Sequence, residues 1–178
     1  QSVSLTNRFT KNSWGTIGVG FLQRYYTRPF TEFDLDITYY KARFNFKLKR
    51  FGTLAFQMNQ GRAESESHLG TLRPSSFDRS YNTQELFIPF TIKYRLPFIQ
   101  SFGFSYRSEK RIYDAEDPND VLHAGRSHKD KKFSLWFRKN LGEDVSIKLS
   151  SRLRSRETDS GYEWVSDLKS FNQLQFWI

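Results

Sequence analysis

The feature that most constrains this chain is a strict alternation of apolar and polar residues, interrupted by turns at nearly constant spacing. Three short, turn-rich breaks recur, at 49–52, 95–98 and 141–144, whereas the other connections are long and polar. A period of two places successive side chains on opposite faces of a β-strand, which helical periodicity cannot do. The pattern therefore predicts an antiparallel sheet with short turns at one end of the strands and long loops at the other end.

The alternation delimits nine strands and no helix. The expected strands are 2–9, 14–26, 32–48, 53–64, 81–96, 99–112, 131–141, 144–157 and 168–178. The long connections are 65–80, 113–130 and 158–167. The hydrophobic phase of 32–48 changes midway, which predicts a bulge near Tyr40. Pro89 cannot donate to a neighbouring strand, so we expect a bulge or a local gap in pairing there.

Composition limits how such a chain could meet a membrane. The 178 residues form one expected domain, 1–178, with 37% hydrophobic residues, 17% aromatic residues and a mean hydropathy of -0.69. A helical span needs about 20 consecutive apolar residues, and the longest candidate, 86–90, is far too short. A closed barrel avoids this requirement, because each strand shows only alternate residues to lipid. The chain contains no cysteine, which excludes disulfides and cysteine-based sites.

Alternation alone leaves open which face is covered. A soluble β-sandwich or a lipocalin-like barrel would bury the apolar face. The asymmetric loop lengths, the aromatic apolar faces and the aromatic terminal strand 171–178 favour a membrane barrel. The glycine that precedes tryptophan in lipocalins is absent, since Gly15 follows Trp14.

The segment 152–160, a loop, and the sequence Lys169-Ser170-Phe171-Asn172 before a final strand resemble the last hairpin of Gram-negative outer-membrane β-barrels. The pattern is similar in particular to C-terminal barrels that follow tetratricopeptide repeats in surface-assembly and export proteins. The resemblance implies an all-β, antiparallel up-and-down transmembrane β-barrel of about 8–10 strands in the bacterial outer membrane. Here no repeat is present, and the chain ends in Ile178 rather than Phe or Trp.

An odd number of strands conflicts with the even count usual in bacterial barrels. Either 2–9 is not a full span or strands before Gln1 are missing. We expect the chain to be the C-terminal part of a larger barrel.

The main functional signal is basic. The net charge is +9, and the polar faces carry the candidate substrate-lining residues Arg95, Arg107, Arg111, Arg138, Lys148, Arg152, Arg154 and Arg156. A tube lined by one sign of charge concentrates counter-ions. The expected function is an outer-membrane channel or translocation barrel for an anionic solute or polymer such as an acidic sugar. The alternative is a non-conducting barrel that scaffolds an envelope complex, its lumen plugged by pairing of the arginines with Asp34, Asp36, Glu85 and Glu109.

Other sites are weaker. The acidic loop Asp114, Glu116, Asp117, Asn119 and Asp120 lacks the spacing of a calcium loop. His128 and Asp130 are the basis for a remote hydrolase alternative. Basic and aromatic residues interleave at 43–47, as in nucleic-acid platforms, but no motif supports that interpretation. We expect no enzyme activity, no metal, no cofactor and no nucleic-acid partner. The expected partners are membrane lipid, lipopolysaccharide and envelope proteins.

Overall fold

The computed structural model describes residues 1–25, 34–65, 78–93, 99–141 and 145–178. Nine antiparallel strands form one sheet in chain order, each paired with the next. The elements are β1 (Ser2–Thr10), β2 (Ser13–Arg24), β3 (Leu35–Leu48), β4 (Gly52–Ser65), β5 (Tyr81–Ile92), β6 (Ser101–Tyr113), β7 (Ser127–Asn140), β8 (Ser146–Asp159), α1 (Glu163–Lys169) and β9 (Phe171–Trp177). The predicted all-β, up-and-down architecture is confirmed. The sheet is open, with β1 and β9 at its two edges.

The short connections lie at one end of the strands and the long ones at the other. We call these two ends of the sheet the turn end and the loop end, respectively. The tight turn between β3 and β4 places Lys49 at a positive φ of 47°. The predicted break at 95–98, and all of the break at 141–144 except Leu141, lie outside the described residues.

The predicted bulge near Tyr40 is wrong. β3 keeps one register with β4 from Leu35 opposite Ser65 to Leu48 opposite Gly52, and its register with β2 is also continuous. The hydrophobic phase changes because apolar residues move to the other face near the loop end, and the backbone does not shift. A register shift does occur in β1, between Arg8 and Thr10.

A bulge or a local gap in pairing was predicted at Pro89, and the structure shows the gap. Pairing of β4 with β5 stops after Leu54 opposite Phe90 and resumes at Gln57 opposite Phe87 in the same register. On the other side, Pro89 is paired with Ser105 of β6. Proline lacks an N–H, so it interrupts one ladder and leaves the other intact.

The prediction that the chain contains no helix is also wrong. The connection between β8 and β9 contains α1, which packs against β8 and buries Val165 completely. Glu163 in its first turn and Lys169 in its last turn complement the helix dipole. Seven residues are too few for helical periodicity to stand out in the sequence. Among the described residues, no helix is both long enough and apolar enough to cross a membrane.

The strand register separates the residues into a polar face and an apolar face. The buried side chains of the strands all lie on the polar face: Asn45, Ala55, Ala63, Ser65, Tyr81, His128 and Asp130. Large side chains of the apolar face are exposed, for example Val3 at 74% and Phe176 at 72%. This distribution is the reverse of that in a soluble sandwich, which buries its apolar face.

Candidate functional site

The candidate site is the polar face of β5 to β9, which we call the basic face. Paired residues of neighbouring strands share a face, so the register brings eight basic side chains and three acidic ones together, an excess of five positive charges. The basic residues are Arg107, Arg111, Lys132, Arg138, Lys148, Arg152, Arg154 and Arg156, and the acidic residues are Glu85, Glu109 and Asp130.

Asp130 is the centre of the loop half of this face. It is only 4% exposed. Arg154 Nε donates to Asp130 Oδ2 at 3.0 Å, and Arg156 Nη2 donates to the same oxygen at 2.8 Å. Lys132 Nζ lies 3.9 Å from Oδ1. One buried carboxylate thus holds two guanidinium groups from β8, and charge-assisted hydrogen bonds of this kind are strong and directional.

Two further ion pairs lie beside this cluster. Arg107 Nε contacts Glu85 Oε2 at 2.6 Å, and Arg111 Nη2 donates to Glu109 Oε1 at 2.7 Å. The Arg111 guanidinium also lies 4.2 Å from the centre of the Tyr81 ring. The three acidic residues therefore neutralise part of the loop half of the basic face.

The turn half has a different character. Lys148 Nζ lies 5.5 Å from the ring centre of Trp136, and the Arg152 guanidinium lies 4.8 Å from that of Trp177. Within the described residues, no salt bridge involves Arg138, Lys148 or Arg152. All three side chains are exposed. Aromatic rings and solvent, and not carboxylates, surround the charges of Lys148 and Arg152, and Arg138 is exposed to solvent.

The seven described members of the predicted lining set all lie on the basic face, and Arg95 lies outside the described residues. Glu85 and Glu109 pair with arginines, as the plugged-lumen alternative expected. Asp36 lies on the apolar face, opposite Glu64, so its predicted role there is wrong. Asp34 precedes β3 and belongs to no described strand. Sequence reasoning missed Asp130 as the buried anion of the basic face, because β7 was expected to begin at 131 and actually begins at Ser127.

An aromatic and imidazole cluster covers the loop end of the basic face. The ring of Tyr113 lies 5.3 Å from that of His123 and 5.4 Å from that of His128, with the Arg126 guanidinium 4.0 Å away. Burial lowers the pKa of His123 below its ordinary value, although Asp120 opposes the shift. His123 Nδ1 lies 2.9 Å from Asp120 Oδ1, within hydrogen-bonding distance. The carboxylate of Asp130 is held by arginines, which disfavours its use with His128 in a hydrolase.

Three carboxylates of the acidic loop form hydrogen bonds within the protein. Asp114 accepts a 2.7 Å hydrogen bond from Arg62, Asp117 accepts from the backbone of Asn119, and Asp120 holds His123. Among the described residues, no group of three or more His, Cys, Asp or Glu side chains is arranged to hold a metal ion.

The interleaved segment 43–47 does not form one stacking platform. The alternation within β3 places Arg43 and Lys47 on the polar face and Phe44 and Phe46 on the apolar face. A cavity of about 1100 Å³ is lined by residues of β1 to β6, including Val19 and Met58 of the apolar face and Lys41 and Glu85 of the polar face.

Comparison with known proteins found no match to a family model, to a curated protein or to a solved structure.

Proposed function

We propose that this chain forms part of a β-barrel in a Gram-negative outer membrane, with its apolar face in lipid and its basic face lining an aqueous lumen for an anionic solute or polymer. The observation that carries the proposal is the separation of the two faces by burial. Exposed phenylalanine, leucine and valine side chains occupy one face of the sheet, while arginines and their counter-ions occupy the half-buried other face.

The apolar face has a banded composition that suits a bilayer. Its turn half carries aliphatic and aromatic residues, and its loop half carries charged residues such as Arg62, Lys129 and Glu157. In β3 the band runs from Leu48 to Tyr40, about 27 Å along the strand or about 21 Å of height at a tilt of roughly 40°, comparable with the apolar belt of outer-membrane barrels.

The basic face suits an anion path because its charge is only partly compensated. Three acidic residues share this face with eight basic ones, and low-dielectric walls strengthen the electrostatic field of the excess positive charge. Arginine forks bind carboxylates and phosphates with two parallel hydrogen bonds. The open sheet requires β1 and β9 to pair with each other, or with further strands, before the lumen is enclosed.

The three groups of ion pairs give specific support to the scaffold alternative. Side chains alone fill the interior of a small closed barrel, and Asp130, Glu85 and Glu109 would join arginines of two strands, β6 and β8, into such a filling. A wider barrel would leave a path beside them.

Conductance in planar bilayers tests the proposal. We expect channels that prefer anions and lose most of that preference when Arg152, Arg154 and Arg156 are replaced by Ser. The matched control replaces Lys110, Lys129 and Lys131 by Ser, which removes the same charge from the opposite face, and should leave selectivity unchanged. An intact barrel without channels would establish the scaffold alternative. Equal effects of the two triple variants would show that these arginines do not line the path.

A further inference from the structure

We infer that the turn half of the basic face is a binding site for an acidic saccharide, centred on Ser150 between Trp136 and Trp177. We call these three residues the tryptophan bracket. The inference rests on the proposed function and deepens it, because it assigns one place on the basic face and a class of ligand, sugars that carry a carboxylate.

Strand register places the three residues of the tryptophan bracket side by side on one face. Ser150 of β8 is paired with Trp136 of β7 on one side and with Trp177 of β9 on the other, so all three share a face. Neighbouring strands are about 4.8 Å apart, which puts the two tryptophan backbones about 10 Å apart with a small residue between them. Ser150 therefore lies between the two tryptophan positions, and the indole of Trp136 extends over Gly103 on the side of β7 away from Ser150.

The indole of Trp136 has a defined position. It lies against Gly103 of β6, where an added Cβ would come within 2.3 Å of the ring. Glycine therefore gives the ring room to lie over the neighbouring strand. Trp177 is 42% exposed, so its ring also remains accessible. The C–H faces of sugar rings are apolar and pack against accessible aromatic surfaces, while the indole N–H offers a donor.

Uncompensated cations surround the bracket. Arg152 and Lys148 approach the two indoles, and Arg138 is paired directly with Lys148 in the next cross-strand row. The acidic residues of the basic face all lie in the other half. A carboxylate bound between these cations would gain charge-assisted hydrogen bonds and would meet no like charge on these strands.

Small polar groups complete the site. Ser105, Ser134, Arg152 and Gln175 form the row on the loop side of the bracket, and Ser101 lies on its turn side. Hydroxyl and amide groups can donate and accept, as sugar hydroxyls require. Aromatic surfaces, hydroxyls and unpaired cations together favour an acidic saccharide over a simple inorganic anion, because an inorganic anion has no apolar surface to pack against the indoles.

Calorimetric titration of the purified protein in detergent with trigalacturonate tests the site, with maltotriose and sodium acetate as comparison ligands. We expect trigalacturonate to bind at least tenfold more tightly than either. Replacement of Trp136 or Trp177 by Leu should weaken binding by at least tenfold, whereas Phe should retain part of it. Trp14→Leu is the matched control, since Trp14 of β2 lies on the same face, six strands away from Ser150.

The same preparations, checked for strand content by circular dichroism, separate this inference from the proposed function. Anion-selective channels that bind trigalacturonate no better than acetate would overturn the saccharide site and leave the anion path standing. Binding that requires both bracket tryptophans, in a barrel that does not conduct, would support the site and refute the channel. A loss of affinity in Trp14→Leu as large as in Trp136→Leu would also overturn the site.

Discussion

At the scale of single residues, Asp130 shows how strongly one buried group organises its surroundings. Its carboxylate accepts hydrogen bonds from Arg154 and Arg156, and Lys132 lies nearby. Removal of one member of a buried ion pair leaves the partner charges uncompensated, which costs more than the pair itself contributes. Asp130 therefore both stabilises β7 against β8 and reduces the positive charge of the basic face.

Asp130→Asn should lower the free energy of unfolding by about 2–3 kcal/mol, because two partly buried guanidinium groups lose their counter-ion. The same change should increase anion selectivity, since it adds one net positive charge to the lumen. Urea unfolding in detergent and reversal potentials measure the two effects. Glu157→Gln, on the exposed opposite face, is the control, and an equal loss of stability in that variant would contradict a special role for Asp130.

At the scale of elements, α1 closes the connection between β8 and β9. Val165 is fully buried, while Leu168 on the same short helix is 65% exposed. Ser170 Oγ accepts a hydrogen bond from the backbone N–H of Thr158, which joins the end of the helix to β8. A helix this short depends on such tertiary contacts, because helix formation by isolated segments of its length is unfavourable.

Val165→Asp should release α1 from β8, because an unpaired carboxylate would replace a fully buried side chain. We expect proteolysis within 160–170 to become at least tenfold faster, while the strand content measured by circular dichroism stays the same. Leu168→Asp introduces the same charge on an exposed position and should have little effect. Equal cleavage rates in the two variants would show that burial of Val165 does not hold the helix.

At the scale of the whole molecule, one sheet carries two incompatible surfaces. The apolar face exposes many large apolar side chains, and large contiguous patches of this kind mark contact with a membrane or with another protein. The basic face holds the buried residues Tyr81, His128 and Asp130 and the ion pairs of Asp130, Glu85 and Glu109. A closed barrel in lipid covers the first surface and hydrates the second, which is the arrangement that we propose.

Leu153→Arg should impair membrane insertion, because a charge in the lipid-facing band costs about 2–4 kcal/mol near the bilayer midplane. Glu157→Arg provides the control, on the same strand and face but in the charged loop half. Insertion into vesicles, followed by the heat-dependent gel mobility of folded barrels, measures the difference. Unimpaired insertion of Leu153→Arg would place this face outside the hydrocarbon.

The sequence by itself determined the strands and their two faces. All nine strands were predicted with approximate bounds, and the basic residues were assigned to one face, because side-chain alternation is a local property of extended backbone. Prediction failed at an element too short to show its period and at a strand whose hydrophobic phase changed. The helix α1 is only seven residues long, and the phase change within β3 resembled a bulge although Leu35 and Ile37 simply lie on the polar face.

Only the tertiary structure decided which charges meet. Register across β5 to β8 pairs Asp130 and Glu85 with arginines of neighbouring strands and leaves Arg138, Lys148 and Arg152 without an acidic partner among the described residues. Register across β7 to β9 also brings Trp136 and Trp177 to opposite sides of Ser150. These contacts join residues that are distant in sequence, and a shift of one residue in register would move them to opposite faces.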